Sequence, residues 1–80
     1  MSHIIMALDQ GTTSSRTILF DESGKIVAEA NAVLDCQFPQ SGWVEQVPED
    51  IWNSQRQTIV AALEQAKLTM KDISAVGITN

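Results

Sequence analysis

Apolar and polar residues along this chain change period several times, and those changes lay out its elements. Ile4-Ile5-Met6-Ala7-Leu8 is a continuous apolar run that ends on the carboxylate of Asp9, and Thr17-Ile18-Leu19-Phe20 is a second that follows Arg16. Runs this short and this rich in β-branched residues read as strands, over residues 4–9 and 16–21. Glu22-Ser23-Gly24-Lys25 then makes a hairpin turn, with Gly24 supplying a positive φ. From residue 26 to 34 the pattern alternates. Ile26, Ala28, Ala30, Ala32 and Leu34 share one face and Val27, Glu29, Asn31 and Val33 the other, as in a strand with a drier and a wetter side.

Pro48 suits the first position of a helix, which is predicted to reach residue 68. Glu49 and Asp50 near its start and Lys67 near its end complement the helix dipole. Trp52, Gln55, Ile59, Ala62, Leu63 and Ala66 recur at three-and-four spacing, a buried stripe that puts Trp52 in the core. Residues 73–79 form a fourth strand. A helical crossover between strands three and four is right-handed and sets the fourth parallel to its sheet neighbour, here expected to be the first. The fold class is therefore α/β: a three-stranded antiparallel meander, a helix and a parallel fourth strand. Residues 35–47 are a long connection in which Phe38 and Trp43 are expected to anchor the loop through buried area.

Composition narrows the function. Eighty residues make one small domain at most, and a chain of this size buries only roughly 60–65% of its unfolded surface. A formal charge of −5, with the five basic residues scattered, argues against nucleic acid, whose phosphates select basic patches. Cys36 and His3 are each the sole residue of their type, which leaves neither a disulfide framework nor a cysteine metal site. The longest apolar runs hold about five residues, against the roughly 20 that span a bilayer, and no basic segment precedes the first. No membrane insertion and a reduced, cytoplasmic setting are expected.

Candidate chemistry is concentrated in Asp9-Gln10-Gly11-Thr12-Thr13-Ser14-Ser15-Arg16. Gly11 allows close approach to the backbone, successive N–H groups can form an anion-binding concavity, and the hydroxyls add donors. Asp9 stands where a magnesium ion or its water shell would bridge to bound phosphates. An ordinary polar turn would use similar residues, but a carboxylate, a glycine, four hydroxyls and an arginine in eight consecutive positions favour the phosphate reading. Gly24-Lys25 is not a Walker A motif, because Leu19 stands where that motif needs Gly and Ile26 where it needs Ser or Thr.

The octapeptide resembles the first phosphate loop of the actin, heat-shock chaperone and sugar-kinase ATPase superfamily. Together with Gly42-Trp43-Val44-Glu45-Gln46, Pro48-Glu49-Asp50-Ile51-Trp52 and Val76-Gly77-Ile78-Thr79-Asn80, it resembles the FGGY carbohydrate kinases in order and spacing. The Gly-Trp-Val-Glu stretch is common to the wider family. The octapeptide and Gly-Ile-Thr-Asn are similar to the members that phosphorylate glycerol. Val47 departs from the pattern, which has Asp there; that weakens a helix cap by about 1 kcal/mol and touches no ligand.

The resemblance implies a ribonuclease H-like domain, ATP with Mg2+ as cofactors, glycerol as acceptor and a homo-oligomer at full length. It assigns Gly11, Thr12, Thr13, Ser14 and Arg16 to ATP and its phosphates, with Thr12 also near the transferred group and Asp9 orienting magnesium through water. Strands one and four are apolar on both faces, yet one helix can cover only one face. The chain is accordingly expected to be the opening part of the first kinase domain, residues 1–80, and to be inactive alone. The general base and the polyol-binding pair are expected beyond Asn80. Another family kinase, acting on xylulose or gluconate, or a non-catalytic actin-like nucleotide-binding module, are the rival readings. A structural domain with a polar turn would make no ATP contact.

Overall fold

The structure is a computed structural model that describes residues 3–11, 13–33 and 48–79. Thr12, Phe38, Trp43, Val47 and Asn80 lie outside the described residues. Four strands, β1 (Ile4–Gln10), β2 (Ser14–Phe20), β3 (Ile26–Val33) and β4 (Ile73–Thr79), form one sheet in the order β3-β2-β1-β4. β2 is antiparallel to both β1 and β3, while β4 is parallel to β1. The helix α1 (Pro48–Ala66) and a short 3-10 turn, Met70–Asp72, carry the chain between β3 and β4. Meander, helix and parallel fourth strand match the pattern read from the sequence. The strands around the first hairpin are longer than the apolar runs suggest, reaching inward to Gln10 and Ser14, because a tight turn lets the ladder continue to its tip.

α1 packs on one face of the sheet, mainly over β2 and β3. There Ile4, Met6, Leu19, Ala28, Ala30, Ala62 and Leu63 make the apolar core. Ala28 and Ala30 on β3 face Ala62 and its neighbours, and side chains that small let helix and sheet approach closely. Toward the start of α1 the buried residues are polar instead: Ser54, Gln55 and Thr58 from the helix, Ser15 and Thr17 from β2. The polar positions of the helix stripe therefore take the place that the periodicity gave to Trp52. That side chain is 58% exposed. With Leu8, Gln10, Ile51, Gln55 and Ile78 it lines a cleft of about 230 Å³ on the helix side of β1 and β4.

The helix ends at Ala66, two residues earlier than the periodicity suggests. Lys67 lies past the last turn with φ 56°. The Leu68 N–H donates to the Leu63 carbonyl at 2.9 Å and the Lys67 N–H to the Glu64 carbonyl at 3.2 Å. These two bonds make a Schellman stop, which Leu68 seals by packing against the core cluster. At the β2–β3 turn Gly24 has φ 87°, as expected. Asp21 Oδ1 there accepts from the Ser23 hydroxyl at 2.6 Å, the Ser23 N–H at 2.9 Å and the Lys25 N–H at 3.0 Å. The Ser23 hydroxyl bond first, and the Lys25 N–H bond next, hold the Asp21 carboxyl below its ordinary value of 3.8.

Candidate functional site

The first hairpin turns tightly: the Gly11 N–H donates to the Ser14 carbonyl at 2.8 Å, so Gln10 pairs with Ser15 and Asp9 with Arg16. Side chains alternate along a strand, which divides the octapeptide between the two sides of the sheet. Ser15 faces the helix side, fully buried, and its hydroxyl donates to Gln10 Oε1 at 3.0 Å. Its hydrogen bond is spent inside the fold. Thr13 and Ser14 are exposed at the tip. Gly11 has no positive φ, and a Cβ there would stand 3.4 Å from the Ser14 carbonyl oxygen, an ordinary contact.

Asp9 and Arg16 lie on the face opposite the helix. Their side chains meet across the β1–β2 ladder, with Arg16 Nη2 2.9 Å from Asp9 Oδ2 and both groups part-exposed. Arg16 is on a central strand, held between β1 and β3, and not on an edge facing solvent. From β4, Thr79 pairs with Asp9 in register and its hydroxyl donates to Asp9 Oδ1 at 3.3 Å. The carboxylate thus stands between a guanidinium and a hydroxyl at the C-terminal end of two parallel strands, a common position for binding groups in α/β sheets. No group of three metal-ligating side chains occurs among the described residues. One part-exposed carboxylate, already contacted by Arg16 and Thr79, fits a hydrated divalent cation better than a direct protein cage.

The hairpin brings together Asp9, Gly11, Thr13, Ser14 and Arg16. Thr12, the remaining candidate, lies outside the described residues. Two contributors were not foreseen. Thr79 becomes a neighbour of Asp9 only through the parallel pairing of β4. Gln55, read as one position of a buried stripe, donates from Nε2 to the Arg16 carbonyl at 2.9 Å and to Thr17 Oγ1 at 3.0 Å. A signal for the second was present, since a glutamine within a buried stripe must find partners.

Chemically, the site offers donors and one positive charge for a polyanion, beside one carboxylate for its counter-cation. The model of the FGGY family of carbohydrate kinases, N-terminal domain, matches residues 4–80. The chain belongs to this family. Among curated relatives, the glycerol kinase of Ralstonia pickettii is 59% identical over 76 residues, covering 95% of this chain and 15% of that protein. Among solved structures, gluconate kinase from Lactobacillus acidophilus superposes with a TM-score of 0.86 at 25% identity, over 99% of this chain and 15% of that one. Plasmodium falciparum glycerol kinase with ADP gives 0.80 at 25% identity, over 99% of this chain and 16% of that one. The fold of this FGGY segment is that of the actin-like, ribonuclease H-like ATPases. It spans about one sixth of the length of the relatives it matches.

Proposed function

We propose that these residues supply the nucleotide-phosphate hairpin of an enzyme that transfers the γ-phosphoryl group of ATP to a terminal hydroxyl of glycerol, giving sn-glycerol 3-phosphate and ADP. The observation that carries the reading is the cross-strand pair Asp9–Arg16, 2.9 Å apart, next to an exposed hydroxyl tip, on the face of the sheet opposite the helix. The likeness to curated glycerol kinases, at 59% identity for that of Ralstonia pickettii and 52% for that of Paenarthrobacter aurescens, favours glycerol as the acceptor.

Phosphoryl transfer is catalysed mainly by positioning and by neutralising charge. Thr12, Thr13 and Ser14 hold the nucleotide phosphates, with Thr12 also near the group in flight. Gly11 leaves the backbone free for close approach. Arg16 meets the charge that grows on the transferring group. Asp9 orients hydrated magnesium, whose charge offsets that of the phosphates when it is bound with ATP. The remainder of the first domain, the general base and the polyol-binding groups belong to the part of the protein outside these residues, and the full-length protein works as a homo-oligomer.

Steady-state kinetics of full-length Arg16→Ala, with each substrate varied, test the role. Turnover is expected to fall about 100-fold or more, with the glycerol KM within about threefold, because the interaction lost is one that strengthens toward the transition state. A raised glycerol KM at unchanged kcat would overturn the assignment. An acceptor panel including gluconate and xylulose, assayed by ADP release, tests the substrate.

A further inference from the structure

We propose, on the reading of Arg16 given above, that Gln55 is a positioning residue for phosphoryl transfer, fixing the β2 backbone from which the Arg16 guanidinium projects. Gln55 lies 39 residues along the chain from Arg16 and is 6% exposed. It sits on the helix side of the sheet, whereas the Arg16–Asp9 pair lies on the other. Its Nε2 has two protons and three acceptors within reach: the Arg16 carbonyl at 2.9 Å, Thr17 Oγ1 at 3.0 Å and Thr58 Oγ1 at 3.1 Å.

The hydroxyl protons fall into one order. Thr58 donates to the Gln55 backbone carbonyl at 2.7 Å. Thr17 and Thr58 are 2.7 Å apart, and both hydroxyls find an acceptor only if Thr17 donates to Thr58. Gln55 then has its acceptors oriented for it. A buried network in which each member has a partner holds one geometry, since any displacement leaves a polar group unpaired. Apolar contacts between helix and strand would tolerate sliding. The bond to the Arg16 carbonyl does not, and it acts on the very residue whose far side faces the phosphates. An error of about 1 Å in such a group can cost about 100-fold in rate.

A double-mutant cycle in the full-length enzyme tests this, using Gln55→Met, which keeps the volume and removes the donors. Gln55→Met alone is expected to lower kcat about tenfold with the nucleotide KM within about twofold. In the Arg16→Ala background the same substitution is expected to change kcat by less than about twofold, since the group it positions is gone. An equal fall in both backgrounds would mean that Gln55 serves only the fold, and overturns the proposal. The Arg16→Ala arm by itself separates this from a failure of the underlying reading: an unchanged kcat there removes Arg16 from the chemistry whatever Gln55 does. Should Gln55→Met not fold, Thr58→Val run through the same cycle carries the test. It is expected to give a smaller fall in kcat that again depends on Arg16, and an Arg16-independent fall overturns the proposal.

Discussion

Asp9 and Arg16 stand seven positions apart in the chain, and the hairpin makes them neighbours because residues equidistant from its tip face each other across an antiparallel ladder. Neither is buried, so their ion pair adds little to stability. Its consequence is electrostatic: each charge keeps the other in place and defines where an anion and its counter-cation can settle. Asp9→Asn retains the shape and the hydrogen bond from Arg16 but removes the negative charge. The magnesium concentration for half-maximal activity is expected to rise about five- to tenfold, the effect of one unit charge acting at short range through water. A magnesium titration of wild type and variant checks it. An unchanged midpoint and unchanged maximal rate would leave Asp9 as a strand-end residue only.

Two hairpin turns and the helix end are each closed by a specific local device. The β1–β2 hairpin closes on the Gly11–Ser14 bond, and the β2–β3 turn on Asp21 and the left-handed Gly24. The helix stops at Lys67, which occupies at φ 56° a conformation that glycine adopts without penalty. Lys67→Gly should therefore stabilise the protein by about 1 kcal/mol, the cost of a side chain in the left-handed region. A higher denaturation midpoint at unchanged slope would show it. A lower midpoint would mean that the lysine side chain makes compensating contacts. The helix also has two unlike halves. Its C-terminal half contributes Ala62 and Leu63 to the apolar core, while Gln55 and Thr58 hydrogen-bond to β2. The apolar half joins the core, and the hydrogen bonds of the polar half fix the register against β2.

At the scale of the whole sheet, the described residues place one helix on one side. On the other side Ile5 and Val27 are 45% and 42% exposed, and on the helix side Val76 and Ile78 of β4 are 49% and 74% exposed. β3 and β4 are edge strands, and edges beside apolar surface invite pairing with a second chain. The segment 1–80 expressed alone is expected to self-associate and to release no ADP in the presence of glycerol and ATP, because no acceptor hydroxyl is held in line with the phosphate. Light scattering beside a coupled ADP assay decides the matter. A cooperatively folding monomer that phosphorylates glycerol would overturn it. Among the described residues no helix is long and apolar enough to cross a membrane.

Local pattern alone determined which segments become strand, turn and helix, though not where each ends, because period, turn chemistry and the position of Pro48 act within a few residues. It also put the candidate phosphate groups in one octapeptide, and the order of elements with a right-handed crossover implied the β4–β1 pairing. Tertiary structure decided the rest. Trp52 fits the helical stripe by spacing, yet its exposure follows from where α1 crosses the sheet, and no helical wheel contains that crossing. Lys67 carries a charge suited to a helix end, but its left-handed backbone is set by Leu68 reaching back to the core. Ser15 is one hydroxyl among four in sequence and differs only because strand alternation turns it inward. Thr79 meets Asp9, and Gln55 meets the Arg16 carbonyl, across separations of 70 and 39 residues. Such contacts depend on the packing of whole elements, which is why they could be found only in the folded chain.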